Sequence, residues 1–295
     1  MPDLIYSRRA NNEPLSLGNV ANLAPAAFTD HPIDGVSERY GHFTTLDAID
    51  LLKENGWQPV QAAQSTARTK ERNNHTKHLI AFAREQDMTR PEGRPEIVLY
   101  NSSDRSSALK LYAGFFRWIC SNSLVSGTGS EFKIYHSKNK ISNFEELLQQ
   151  TIDGIYRQEE MIDQMRSTLI GYHRATNLIG SAASLRWKPL VRTILDTPAD
   201  QTIPVGTYWN KNTIDGVLQP KRWGEKELSV EDRISLWDVF NRTQEGLMRR
   251  GVQVTSFTKN SPQGTTRRAR AIASVAEAIR VNRDTWDIFE GALAS

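Results

Sequence analysis

The segment from Gly114 to His136 holds the residues best suited to chemistry in this chain of 295 residues. It contains the only cysteine, Cys120, with His136 downstream, and a thiolate next to an imidazole is a pair used in nucleophilic catalysis. A lone cysteine within an aromatic, apolar run is more often a buried, inert thiol, and it cannot form an internal disulfide. We therefore expect a reducing compartment and no catalytic role for Cys120.

Other catalytic patterns are incomplete. The glycine-rich stretch 126–130 lacks the lysine of a phosphate-binding loop, and we expect it to connect two strands. His75 and His78 are close in sequence, but no set of acidic or thiol ligands surrounds them, which disfavours a metal site. The sequence therefore predicts a protein that is not an enzyme and that uses neither a metal nor another cofactor.

The middle of the chain is basic. Residues 61–140 carry 13 Lys/Arg against 7 Asp/Glu, a net charge of +6, whereas residues 1–60 carry 4 against 8 and residues 141–180 carry 3 against 6. Such a block is expected where a protein neutralises phosphates, but scattered lysines on a solvated sheet face produce the same excess. Charge alone does not decide between these two interpretations.

The candidate nucleic-acid contacts are cations of this basic block. They are Arg68, Lys70, Arg72, Lys77, Arg117, Lys133, Lys138 and Lys140. A further, weaker cluster is Arg267, Arg268 and Arg270, which we place at the start of a predicted helix, where the helix dipole disfavours cations. Trp57, Trp118 and Tyr135 are aromatic residues that can stack on bases, although core packing is the more common role for each.

The elements that position these residues indicate an α+β fold. Leu46, Ile49 and Leu52 recur at helical spacing after a cap at Thr44 or Thr45, and Gly56 can end that helix. β-forming segments follow at 58–65, 78–85, 96–100 and 132–136, whereas residues 107–125 fit either a strand or a buried helix. We predict a twisted antiparallel sheet with a long helix packed on it, followed by a helical C-terminal region.

The long helix is predicted to begin at the capping box 142–145 and to continue to Tyr172. Two later helices are predicted, one capped at Ser229 and one after Pro262. The expected domains are an irregular N-terminal arm at 1–43, an α+β core at 44–196 that binds nucleic acid, and a mainly helical region at 197–295. The arm is expected to order against the body or a neighbouring subunit.

Three motifs carry a family resemblance. Arg117, Cys120 and Asn122, followed by His136, resemble the central signature of a phage and plasmid family, domain of unknown function nine-three-two. The stretches RYGHFTTLDAIDLLKENGW and ISLWDVFNRTQEGL, at 39–57 and 234–247, are similar to further parts of that family. The resemblance covers most of the chain and implies a mobile-element context.

A second resemblance concerns mechanism. A helix ending in Asn55, Gly56 and Trp57, followed by strands and a basic hairpin, is similar to the start of the annealing domain in the Rad-fifty-two superfamily, to which phage RecT, Redβ and Erf are related. That superfamily implies a twisted antiparallel sheet beside a long helix, assembly into rings or filaments, and binding of single-stranded DNA without nucleotide hydrolysis.

These observations together predict a phage-type, ATP-independent protein that binds and anneals single-stranded DNA in recombination. We expect it to be a homo-oligomer, a ring or filament, in the cytoplasm of the host cell, because the sequence contains neither a signal peptide nor an apolar span. The alternative is a mobile-element inhibitor of a host defence system that acts by binding a host protein. A metal-independent nucleic-acid enzyme ranks below both.

Overall fold

A computed structural model describes most of the chain. The described residues are 13–37, 41, 43–67, 69–90, 93–116, 131–134, 144–219, 229–248, 252–272 and 275–294. Contacts divide the chain into two compact units, Met1–Glu159 and Glu160–Ser295. The predicted domain boundaries at residues 43 and 196 differ from this division and stay predictions, because a compact unit need not fold independently.

The first unit is built on an antiparallel meander. Its strands pair in chain order and are β1 (Trp57–Gln64), β2 (His78–Arg84), β3 (Arg94–Asn101), β4 (Leu109–Phe116) and β5 (Glu131–Ile134). The helices are α1 (Leu17–Leu23), α2 (Thr45–Glu54), α3 (Lys70–Asn73) and the long α4 (Phe144–Ser167), inside which the division between the units falls. The α+β prediction is confirmed, and residues 109–116 of the ambiguous segment form a strand.

Local sequence explains the limits of α2. The hydroxyl of Thr44 accepts a hydrogen bond from the Asp47 backbone N–H at 3.1 Å, which caps the first turn. At the other end, Gly56 has a φ of 82°, a left-handed conformation that stops the helix and that glycine adopts readily. The stop at Gly56 was predicted from the sequence, and the cap was predicted at Thr44 or Thr45.

One face of the sheet carries the core of this unit. Alternate strand residues, such as Ile80, Leu99 and Leu111, have no solvent exposure and pack with residues of α2 and the first half of α4. Trp57 lies in the same cluster and is 1% exposed. Trp57 is therefore a core residue, as predicted.

The N-terminal segment contributes to this core. Within residues 13–37 the sequence predicted no regular element, but Ser16 caps the helix α1. Val20 and Ala27 are fully buried against the sheet cluster, and the Leu15 N–H donates to the Pro59 carbonyl at 2.7 Å. The described part of the expected arm therefore packs against its own body.

A buried polar network joins α2 to the sheet. The Thr45 hydroxyl lies 2.7 Å from Nε2 of His78 and accepts a hydrogen bond from the Asn101 amide at 3.0 Å. Nδ1 of His78 lies 3.0 Å from the Thr76 carbonyl, an acceptor, so this nitrogen carries the proton and Nε2 accepts from Thr45. This arrangement gives His78 a structural role.

An ion cluster ties α4 to the end of β2. The Asp87 carboxylate is 1% exposed and pairs with Arg84, through a contact to its Nε, and with Arg90 at 2.8 Å. Glu159 of α4 forms ion pairs with both arginines, with Arg84 at 3.0 Å and with Arg90 at 2.7 Å. Desolvation lowers the pKa of Arg84, but hydrogen bonds and charge from Asp87 and Glu159 outweigh it and raise the pKa above its ordinary value.

The second unit combines helices with two small sheets. Its helices are α5 (Tyr172–Ala183), α6 (Leu190–Asp196), α7 (Lys211–Leu218), α8 (Leu236–Met248) and α9 (Val275–Gly291). Its strands are β6 (Leu169–Gly171), β7 (Lys188–Pro189), β8 (Gly206–Trp209), β9 (Arg233–Ser235), β10 (Gln253–Thr258) and β11 (Ser261–Arg268). One sheet has the order β11-β10-β8-β7, and β6 pairs with β9 in the other. Within the described ranges, no helix is both long enough and apolar enough to span a bilayer.

Three predicted features of this region were wrong. The long helix ends at Ser167 and not at Tyr172, because residues 169–171 pair with β9. The helix α8 begins at Leu236, where the Ser235 hydroxyl accepts the Asp238 N–H at 3.0 Å, and not after Ser229. Residues 261–268 form a strand, because they pair with the buried strand β10.

The motif on α8 is mostly internal. Trp237 and Phe240 stack with their centroids 5.5 Å apart, and Trp286 of α9 meets Phe240 edge-on at 5.5 Å. The buried Gln244 amide donates to Asn282 of α9 at 3.0 Å, which fixes the register of the two helices. The family-like residues of this segment therefore build the core of the second unit.

Replacing Trp57 by alanine tests the core of the first unit. Because Trp57 is almost completely buried between α2 and the sheet, we expect a loss of about 3–5 kcal/mol in the free energy of unfolding. Urea denaturation followed by circular dichroism measures this. A stable variant that loses only ligand binding would contradict the structural role.

The Asp87 cluster provides a matched pair of substitutions. Asp87→Asn removes the buried partner of two arginines and is expected to cost about 3–5 kcal/mol in unfolding free energy. Asp163→Asn breaks an exposed pair with Arg166, which has the same i, i+3 spacing as the pair of Asp87 with Arg84, and should cost about 1 kcal/mol or less. Equal losses in a denaturation experiment would show that burial does not set the strength of the Asp87 contacts.

Candidate nucleic-acid interface

A group of exposed cations of the second unit lies on a β-hairpin. β10 and β11 pair antiparallel, with Gln253 opposite Arg268 and Thr258 opposite Ser261, and Lys259 and Asn260 connect them. β10 lies inside its sheet, whereas β11 is an edge strand. A strand at an edge presents its side chains and one row of backbone groups outward.

Positive charge dominates this hairpin. Residues 252–272 contain four Lys/Arg and no Asp/Glu. The four cations are all exposed and are Lys259, Arg267, Arg268 and Arg270. We call β10, β11 and these four cations the basic hairpin. Its composition produces a local positive field, which attracts polyanions.

The charges of the basic hairpin lack acidic partners in the part of the chain that the structure describes. None of its four cations forms an ion pair with any residue in the described ranges. Some other exposed cations of the unit do form ion pairs, since Arg192 pairs with Asp196 and Lys211 pairs with Asp215. The hairpin cations are therefore available to a ligand.

Arg267 is held in a defined orientation. Its Nε donates to the Ser256 hydroxyl at 2.7 Å, and its Nη2 donates to the Thr207 hydroxyl at 3.3 Å. These neutral partners fix the guanidinium plane and leave its charge uncompensated. Its remaining N–H groups can donate to phosphate oxygens, for which a guanidinium has matching geometry.

Close packing keeps the edge strand in place behind these cations. Gly264 has a φ of 83°, and a Cβ at this position would lie 2.8 Å from Cζ of Phe257. Phe257 in turn contacts Tyr208 edge-on, with ring centroids 5.6 Å apart. The backbone of β11 thus runs directly against the aromatic side chain of β10.

The strand changes the interpretation of the third arginine cluster. The sequence placed Arg267, Arg268 and Arg270 at a helix start, where the dipole would disfavour them, and ranked them last. In the structure Arg267 and Arg268 lie on β11, and Arg270 follows it, so the dipole argument does not apply. Lys259, at the hairpin turn, was missed because no helix or strand boundary was predicted there.

Most of the candidate cations of the first unit cannot be placed in a site. Arg68, Arg117, Lys138 and Lys140 lie outside the described residues, and the side chains of Lys70 and Lys133 are not described either. Arg72 is exposed on α3, and Lys77 is half-buried next to β2. Their role in binding stays a prediction.

Lys77 does have identifiable neighbours. Because His78 faces α2, Lys77 lies on the opposite face of the sheet, where Tyr100 and Lys110 are paired across β3 and β4. Burial alone would raise the pKa of Asp104, but hydrogen bonds from Ser106 and Ser102 and the charge of Lys77 lower it. Part of the charge of Lys77 is therefore compensated within the protein.

Burial also raises the pKa of the Tyr100 phenol, an effect that the Lys110 ammonium opposes and Asp104 reinforces. Lys110 lies opposite Lys133 in the register of β4 and β5. The sequence analysis missed Lys110, although its position between the buried Leu109 and Leu111 was a signal of an outward-facing strand residue.

The predicted stacking residues contribute little to a surface in the described part of the chain. Trp57 is buried, while Trp118 and Tyr135 lie outside the described residues. Tyr112, on the face that carries Lys110, is only 6% exposed. The described residues also contain no group of His, Cys, Asp and Glu side chains that could hold a metal ion. The candidate interface is therefore suited to phosphates more than to bases.

Comparison with known proteins assigns the chain to a family. Residues 32–286 match the domain of unknown function DUF932, and the chain belongs to that family. The family resemblance inferred from the three motifs is thus confirmed, whereas the similarity to the Rad-fifty-two superfamily stays a hypothesis.

Two curated relatives come from Escherichia coli K12. The chain is 28% identical to the UPF0380 protein YfjQ and 27% identical to the UPF0380 protein YafZ, in each case over 96% of this chain and 93% of the relative. No solved structure matches the chain significantly. The similarity therefore extends over nearly the full length of these proteins.

Proposed function

We propose that this protein is a phage-type, ATP-independent protein that binds single-stranded DNA through the basic hairpin and promotes the annealing of complementary strands. The observation that carries this proposal is the set of four exposed cations that have no acidic neighbour in residues 252–272 and no ion-pair partner in the described ranges. Cations of this kind release condensed counterions when they contact phosphates, which drives binding.

The chemistry of the hairpin favours contacts to the DNA backbone. Its exposed side chains include cationic and hydroxyl-bearing ones, such as Arg268, Thr265 and Thr266, and groups of these types bind phosphate oxygens. A protein that holds only the backbone leaves the base edges accessible. A strand bound in this way can still pair with a complementary strand, which is the requirement for annealing.

The proposed mechanism involves no covalent step. Two complementary strands repel each other through their phosphates, and protein cations lower that repulsion while they position the strands. In this proposal the free protein is a homo-oligomer, a ring or filament, and the hairpin of each copy can bind a short stretch of DNA. In this proposal the protein works in the host cytoplasm, where phage and plasmid DNA is recombined.

A second candidate function is inhibition of a host defence system through binding of a host protein. It is favoured by helix α6, which has no buried residue. Its side chains Val191, Ile194 and Leu195 are 67%, 50% and 79% exposed. Clustered exposed apolar residues of this kind are uncommon on a monomer unless they contact a partner.

The DNA-binding proposal predicts strong salt dependence. The anisotropy of a labelled oligothymidylate should report an affinity that falls at least tenfold between about 50 and 200 mM salt. Arg267→Gln combined with Arg268→Gln should weaken binding at the lower salt and reduce the salt slope by about two, since two phosphate contacts are lost. An ATP-free assay with two complementary strands should show faster pairing with the wild-type protein than with this variant.

A matched control removes the same charge elsewhere. Arg192→Gln combined with Lys211→Gln takes away two exposed cations that already pair with Asp196 and Asp215, and should leave DNA binding unchanged. An absence of binding at low salt would refute the proposal and favour the defence-inhibitor function. If replacement of Lys133, Lys138 and Lys140 abolished binding while the hairpin variant retained it, the interface would instead lie in the first unit.

A further inference from the structure

A groove of opposite character lies in the first unit. One face of α2 presents Asp47, Asp50, Leu51 and Glu54, which follow the i, i+3, i+4, i+7 spacing of a helical stripe. With Phe43, Phe144 and Glu145, these residues line a cavity of about 420 Å³. We call this cavity the acidic groove.

The acidic groove has apolar walls and a negative rim. The rings of Phe43 and Phe144 lie 4.8 Å apart between centroids. The four carboxylates of the rim are all exposed, and none forms an ion pair with a residue in the described part of the chain. No lysine or arginine lines the groove. The groove therefore favours a ligand that is cationic and carries hydrocarbon next to its charge.

We propose that the acidic groove receives the basic hairpin of a second copy of this chain. The two surfaces are complementary, since the groove carries four carboxylates and no cation while residues 252–272 carry four cations and no carboxylate. Arginine also supplies the required hydrocarbon, because its stem packs on apolar surface and its guanidinium stacks on aromatic rings such as Phe43. Opposite charges of this kind steer and orient association.

This contact is head-to-tail. It joins two different surfaces, so a pair of copies keeps a free groove on one copy and a free hairpin on the other, and the assembly extends into a ring or a filament. The two surfaces lie in different compact units of the chain. Nucleic acid is excluded from the groove itself, because its carboxylates repel phosphates.

The contact also couples assembly to DNA. If the hairpin binds DNA as proposed above, single-stranded DNA and the groove of a neighbouring copy compete for the same cations. The free protein then forms head-to-tail assemblies, and DNA separates them as it occupies the hairpins. A groove that imitates the charge of a phosphate backbone would thus keep the hairpin covered until DNA is present.

Charge reversal tests the self-association without DNA. Light scattering after size-exclusion chromatography at low salt should show wild-type protein larger than a monomer, with a mass that rises with concentration. The groove variant Asp50→Lys with Glu54→Lys and the hairpin variant Arg267→Glu with Arg268→Glu should each be monomeric. Their mixture should regain the larger species, because each supplies the surface that the other lacks.

Several outcomes would overturn the inference. Asp34→Lys combined with Asp153→Lys makes the same charge change on exposed residues outside the groove and should keep the assembly. A monomeric wild-type protein, an assembly that persists in either reversed variant, or a mixture that stays monomeric would contradict it. Loss of assembly in the groove variant alone would mean that another protein segment occupies the groove.

The same measurement with added DNA tests the self-association separately from the proposed function. An oligothymidylate should reduce the mass of the wild-type assembly, and the groove variant should bind the same probe at least as tightly as the wild type. If charge reversal behaves as expected but the oligothymidylate does not bind, the proposed function fails and the self-association stands. If DNA binds and the assembly keeps its size, the competition is refuted.

Discussion

The interaction on which the first unit most depends is the pairing of the buried Asp87 carboxylate with Arg84 and Arg90. A negative charge that is 1% exposed is stable only if cations replace the water it has lost, and Arg84 and Arg90 do so. Both arginines also bind Glu159 of α4, and Arg84 lies 5.5 Å from the ring centroids of both Trp57 and Tyr156. One cluster therefore joins the sheet, the core tryptophan and the long helix. It also commits these two arginines to structure, which removes them from any count of cations available to DNA.

The distinction between compensated and uncompensated charge organises the rest of the surface. Lys77 is partly balanced by Asp104, and Arg192 and Lys211 by carboxylates one helical turn away. The basic hairpin and the acidic groove differ, since each concentrates one sign of charge without a described partner. A net charge of only +3 for the chain conceals both surfaces. Their complementarity links the proposed DNA binding to the proposed assembly, because both use the same four cations.

The sequence was most informative where strong local signals agree with tertiary packing. The cap at Thr44, the stop at Gly56 and the apolar alternation of the strands predicted α2 and the central sheet. It failed for α1, a helix of seven residues whose only strong signal is Ser16, and for β11, whose strand conformation depends on pairing with a distant part of the fold. A helical spacing beginning at Ile272 extended the predicted helix backward over that strand. The candidate interface was misjudged for the same reason, because a wrong element gave its arginines the wrong electrostatic environment.

Ultraviolet cross-linking of the protein to an oligothymidylate, followed by mass spectrometry of the attached peptides, tests the central claim most directly. The account predicts that cross-links concentrate in residues 252–272 and disappear as salt is raised. Cross-links confined to the first unit, or a pattern insensitive to salt, would contradict the assignment of the basic hairpin as the DNA-binding surface.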